Sequence, residues 1–227
     1  MSADFSEMEN AENNKAKTVA AGSNFNTALV ASGIAKIILE ANLTIPKVLL
    51  NAAQQNDPDE IASSEWEWSY STTAQGNSYG VRLTAATNSN SDVNWKFYVT
   101  NSAVNPPLSN ALFFEGNSDF NATSGSWIYY DLSTGDDVSM ITWTKSENSA
   151  SIDFEVTSGR NDNLGDTIKY NFDGTTKTLV YLDASSGEET TISFNTETKV
   201  GFIIAPNYNS GTKACWNENL ENTACPN

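Results

Sequence analysis

The chain has 227 residues, with 12 Lys and Arg against 28 Asp and Glu, no His, two Cys and 39% hydrophobic residues. That is apolar material for one β domain of barrel or sandwich type, or at most two small ones, and too much for wholesale disorder. The net charge of −16 repels phosphate backbones and anionic membrane surfaces, which excludes nucleic acid as a partner. The lack of His removes Ser-His-Asp, Cys-His and His-based zinc chemistry.

Residues 1–22 are rich in Asn, Glu, Ser and Ala without an apolar period and read as a flexible tether. The polar start Met1-Ser2-Ala3-Asp4 carries no export signal, so a signal peptide is expected to have been removed and Met1 added for expression. Residues 23–56 read as a helical segment. Ser23 or Asn24 can cap a first helix, whose stripe is Val30, Ile34, Ile37, Ile38 and Ala41, with Ser32, Lys36 and Glu40 opposite. Thr44 can cap a second, with Ile45, Val48, Leu49, Ala52 and Ala53 on one face and Asn56-Asp57-Pro58 as its stop. Both helices are expected to cover a sheet. The run from Ile34 to Leu50 is broken by Lys36, Glu40, Asn42, Pro46 and Lys47, so it does not read as a membrane span.

From Ser64 the period changes to two, and residues 64–205 read as an antiparallel meander. Trp66, Trp68 and Tyr70 alternate with Glu65, Glu67 and Ser69; Trp95 and Phe97 alternate with Asn94 and Lys96; Trp127 to Leu132 is denser. Turn clusters such as Gln75-Gly76-Asn77, Thr134-Gly135-Asp136 and Ser186-Gly187-Glu188 separate ten or eleven such runs, and Asp173-Gly174 is the sharpest hairpin signal. The fold class is mainly β: a meander forming a curved half-barrel or barrel with two short helices packed on it, or alternatively a β-sandwich. Residues 23–227 form a single domain in this reading, ending in a disulfide-stapled tail over 206–227. Cys215 and Cys225 are too far apart for a redox CxxC pair and too few for zinc; a disulfide is expected, and with it an oxidising compartment.

The candidate ligand-binding residues are the strand aromatics Trp66, Trp68, Tyr70, Trp95, Phe97, Trp127, Tyr129 and Trp143. They either fill a core or line a pocket for an apolar ligand. Asp131, Asp136 and Asp137, and the run Asn161-Asp162-Asn163-Leu164-Gly165-Asp166, resemble pieces of calcium loops. Neither has the spaced pattern with its closing Glu, so they read as turns and no metal is expected. Glu65 and Glu67 beside Trp66 and Trp68 could suit glycoside hydrolysis, but read better as acids guarding an edge strand. Asn42-Leu43-Thr44 and Asn121-Ala122-Thr123 fit the glycosylation acceptor pattern. No catalytic set is assembled; neither enzyme activity nor a cofactor is expected.

The Cys215–Cys225 segment, following the Ile192-Ser193-Phe194-Asn195 strand and Gly201, together with Gly125-Ser126-Trp127, resembles uncharacterised β-rich lipoproteins of bacterial cell envelopes. The resemblance covers the last half of the chain and supplies no catalytic residues. It implies export, and a lipid anchor just before residue 2. The expectation is a non-enzymatic protein, secreted, on the outer surface or in the periplasm. It would bind an apolar small molecule or surface partner, or alternatively act as a carbohydrate-binding or adhesion module with a surface glycan as partner. Membrane attachment would come only through the anchor.

Overall fold

The computed structural model describes residues 8, 22–36, 39, 55–74, 76–87, 92–159 and 163–226. It is an antiparallel meander of fourteen strands whose order in the sheet is their order in the chain. The chain divides into two compact units, one of residues 41–144 and 156–159, the other of residues 1–40, 145–155 and 160–227.

The first unit carries β1 (Asp59–Ala62), β2 (Glu65–Ala74), β3 (Asn77–Thr87), β4 (Asp92–Asn101), β5 (Leu108–Asp119), β6 (Ser124–Tyr130) and β7 (Asp137–Lys145). The second carries β8 (Ala150–Val156), β9 (Thr167–Phe172), β10 (Thr176–Asp183), β11 (Glu188–Asn195), β12 (Gly201–Ile204), β13 (Ala214–Trp216) and β14 (Asn222–Thr223). The eleven alternating runs in the sequence are β2 to β12. Of the three that the sequence pattern did not mark, β13 and β14 are only three and two residues long, and β1, Asp59-Glu60-Ile61-Ala62, is exposed throughout and has no buried face to alternate.

The sheet is not closed, since β1 and β14 end the strand order; of the expected half-barrel or barrel, this corrects the closed barrel. Closure removes edges, but these edges are protected in another way. β1 is four residues long, exposed throughout, and begins Asp59-Glu60. β14 is two residues, and the Cys215–Cys225 disulfide ties the chain just beyond it back to β13. β1 pairs with β2 over Glu65 to Glu67, so that stretch of β2 is not an edge and Glu65 and Glu67 do not guard one.

The β9–β10 hairpin forms where Asp173-Gly174 foretold it. Gly174 takes φ +100°, and the Asp173 carboxylate accepts the N–H groups of Thr175 and Thr176 at 3.2 and 2.8 Å. These bonds hold the Asp173 carboxyl below the usual range. The same device recurs at Asp131, whose Oδ1 accepts the N–H groups of Ser133 and Thr134. It recurs again at Asp183, serving Ser185 and Ser186.

Residues 24–36 are helical (α1), and Leu39 is also in helical conformation. Ser23 is the cap: its Oγ accepts the Asn26 N–H at 3.1 Å. The buried stripe differs from the expected one. Phe25, Ala28, Ser32, Ala35 and Leu39 are buried, while Val30 and Ile34 are 58% and 57% exposed. The helix has two apolar faces, and the one that is buried carries the Phe25 ring together with the small residues Ala28, Ser32 and Ala35. Ser32 tolerates this burial because its hydroxyl donates to Leu29 O at 2.9 Å. Phe25 is the anchor, edge-on to Trp216 at 5.5 Å and tilted against Phe194 at 6.4 Å. Ile37, Ile38 and Ala41, and the second helix expected from Thr44, lie outside the described residues. So does most of the expected tether, although Met8 within it is helical and buried.

Candidate functional site

Residues directly opposite in an antiparallel pair share a face, so register decides what the strand aromatics can do together. Trp66, Trp68 and Tyr70 on β2 stand opposite Ala85, Leu83 and Val81 on β3. Those three stand opposite Trp95, Phe97 and Val99 on β4. Across β5, Phe97 faces Phe114 and Trp95 faces Gly116, and these face Tyr129 and Trp127 on β6. Trp127 faces Ile141 on β7, and Gly125 faces Trp143. All eight candidate aromatics therefore lie on one face of β2–β7, within one compact unit.

Phe97, Tyr129 and Trp143 are buried; Trp66, Trp68, Tyr70, Trp95 and Trp127 are only partly so. Phe97 stacks on Phe114 at 4.8 Å, Phe114 meets Trp127 edge-on at 5.0 Å, and Trp127 stacks on Trp143 at 5.7 Å. Trp68 and Trp95 make a separate tilted pair at 6.1 Å. Trp68 and Trp95 are tilted by 31°, and Phe114 and Trp127 stand at 86°, so these pairs are not coplanar. Indole N–H groups are satisfied inside the unit, Trp95 by Ser118 Oγ at 3.1 Å and Trp143 by Ala122 O at 3.3 Å. Burial alone pushes the Tyr70 phenol up to about 12 and the Tyr129 phenol further. Neither phenol is an acid or base near neutral pH.

Two members of this cluster escaped the sequence reading. The register shifts between the Phe97–Phe114 and Tyr98–Leu112 pairs, so Phe113 is the extra residue of a bulge. Its ring stands 6.3 Å from Phe97 and from Tyr129, and 5.8 Å from Phe114. The available signal was Leu112-Phe113-Phe114, three apolar residues in a row where a plain strand alternates.

The opposite face is polar. Glu67 pairs with Arg82 at 3.4 Å, Arg82 lies 4.0 Å over the Tyr98 ring, and its Nε donates to Asn110 at 2.9 Å. Lys96 pairs with Glu115 at 3.1 Å, and Tyr130 donates its hydroxyl to Glu115 at 2.7 Å. Glu67 is thus engaged in an ion pair. The hydrogen bond from Tyr130, followed by Lys96, holds the Glu115 carboxyl below its ordinary value against the opposing effect of burial. A depressed carboxyl contributes stability above its unfolded pKa of about 4.3, and that stability is lost as pH falls through the folded value. Glu115→Gln should therefore cost under about 1 kcal/mol at pH 7, because the pair is partly solvated. The difference between variant and wild type should shrink as pH falls through the folded value, because a protonated Glu115 is neutral like Gln. Urea melts at about pH 7 and at a series of lower pH values check this, and a gap that never diminishes would mean that the Gln disturbs packing.

The expected calcium-loop fragments behave as turns where they are described. Besides Asp131, Asp166 accepts the Ala184 N–H at 2.9 Å and the Tyr181 hydroxyl at 3.1 Å, while Asn161 and Asp162 lie outside the described residues. Among the described residues no three His, Cys, Asp or Glu side chains gather as a metal site. Of the two acceptor patterns, Asn121 is exposed in the β5–β6 turn and Asn42 is outside the described residues. The Cys215–Cys225 disulfide is formed, as expected, with a Cα–Cα distance of 5.2 Å. Comparison with known proteins gave no match among family models, curated sequences or solved structures.

Proposed function

We propose that this is a non-enzymatic secreted or surface-displayed protein that binds an apolar ligand on the aromatic face of β2–β7. One observation carries the reading: five large aromatics, Trp66, Trp68, Tyr70, Trp95 and Trp127, share a face with a packed aromatic floor yet keep part of their surface exposed. Such a face offers flat apolar surface that costs little side-chain entropy to use, because aromatic side chains have few rotatable bonds. The 31° tilt between Trp68 and Trp95 favours an apolar ligand over a sugar, which stacks on exposed coplanar rings. The disulfide is consistent with an extracellular or periplasmic location. Among the described residues no helix is long and apolar enough to cross a membrane.

Titration with a brominated fatty acid tests this, since bromine quenches only indoles it touches. Saturable quenching is expected, weakened in Trp68→Ala and Trp127→Ala, and a soluble oligosaccharide should leave the fluorescence unchanged. No quenching by the fatty acid, with a shift on adding the oligosaccharide, would replace the apolar ligand by a glycan. Mass spectrometry of molecules retained by protein isolated from its native source would then identify the ligand.

A further inference from the structure

The two ends of the described chain meet at one place. The Asn24 backbone N–H, which as a first-turn donor has no acceptor within the helix, is capped by Asn222 Oδ1 at 2.8 Å. Asn24 Nδ2 donates to Cys215 O at 2.7 Å, and Asn24 Oδ1 accepts the Tyr208 hydroxyl at 2.6 Å. Next to it, Phe25 packs on Trp216. Cys215, Trp216 and Asn222 all lie within the loop closed by the Cys215–Cys225 disulfide.

That loop depends on its crosslink. β14 is exposed and pairs with β13 at two positions, Cys215 with Thr223 and Trp216 with Asn222. β13 is better held, since it also pairs with β12 at three positions. Without the sulfur bridge, β14 is an edge strand of two residues whose fraying carries Asn222 away from the helix N-terminus.

We propose that the Cys215–Cys225 disulfide is a thiol-sensitive latch between the chain ends: its reduction loosens α1 from β11–β13 and leaves β9–β12 folded. Cys215 is buried and Cys225 is partly exposed, so an external dithiol attacks Cys225 Sγ. The S–S bond breaks, the electron pair leaves with Cys215 Sγ, which takes a proton, and a mixed disulfide forms at Cys225. The second thiol of the reagent then displaces Cys225 as a thiol and closes the reagent's own disulfide. Loosening α1 uncovers Phe194 and Trp216, an apolar surface that is closed in the oxidised protein.

Hydrogen exchange read by mass spectrometry tests this, comparing the oxidised protein with the same protein in dithiothreitol and with Cys225→Ser. Peptides covering residues 24–36 should exchange about tenfold faster in both, as losing one docking hydrogen bond implies. Peptides from β9 to β12 should keep their protection. Asn222→Ala with the disulfide intact should reproduce part of the effect. Unchanged exchange in α1 on reduction overturns the latch. Equal acceleration in α1 and β9–β12 also overturns it, since the disulfide would then staple the whole unit. Full protection of α1 in Asn222→Ala overturns the route through that side chain.

Discussion

Phe25→Ala should destabilise the protein by about 3–5 kcal/mol, as large-to-small changes at fully buried aromatics do. Phe25 has no exposed surface and lies between Phe194 and Trp216, both also fully buried. Three rings locked this way cannot collapse onto the space a lost ring leaves, which places the cost toward the upper end. Ile34→Ala on the same helix should change stability by no more than about 0.5 kcal/mol, because Ile34 is exposed. Equilibrium denaturation in guanidinium, followed by far-ultraviolet circular dichroism, compares the two midpoints. Equal shifts for both variants would mean that α1 docks through its other face.

That pair of variants also marks where the sequence misleads. Hydrophobicity alone ranks Val30 and Ile34 above Ala28, Ser32 and Ala35, and so selects the wrong side of the helix. The side that docks is the one carrying Phe25, whose ring meets Phe194 and Trp216, and those partners come from strands far away in the sequence. The strands were legible because alternation is a local signal: the runs from Trp66 to Ile204 became β2–β12. Closure was not legible. It depends on whether the first and last strands pair; β1 is exposed throughout and shows no alternation, and β14 is only two residues long.

The candidate site shows the same division. That eight aromatics lie on strands follows from their sequence alone. That they share one face requires the register of five strand pairs, and a slip of one residue in any pair would have split them. All the aromatic pairings of β5 fall in the unbroken register from Phe114 to Asp119, and the bulge at Phe113 lies just beyond it, so that Val99 stands opposite Ala111. Removing Phe113 by mutation would test only ring contacts; the register is a property of the backbone.

Gly201→Ala should be as costly as a large core truncation, about 3 kcal/mol or more, although it adds a single methyl group. Gly201 stands directly opposite Trp216 across β12–β13, and the indole lies over it. A Cβ there would come 2.7 Å from Trp216 Cε2, and closer still to Trp216 Cζ2 and to the Ser193 carbonyl oxygen of β11. The usual relief, rotation of the intruded side chain, is closed: Trp216 is fully buried, its Nε1–H donates to Lys199 O at 2.8 Å, and Phe25 abuts its ring. On the other side the obstacle is backbone, which moves only with its strand. Gly125 repeats the arrangement against Trp143, with a Cβ 2.5 Å from Trp143 Cη2 and Cζ2, but Gly125 is only half-buried. Gly125→Ala should therefore cost less than Gly201→Ala. Because Gly201 and Phe25 share Trp216, the double variant Phe25→Ala with Gly201→Ala should lose less stability than the sum of the two single losses, since removing the Phe25 ring lets the indole shift. Denaturation midpoints of the four proteins give the coupling, and strict additivity would show that the cost of Gly201→Ala comes from the Ser193 carbonyl alone.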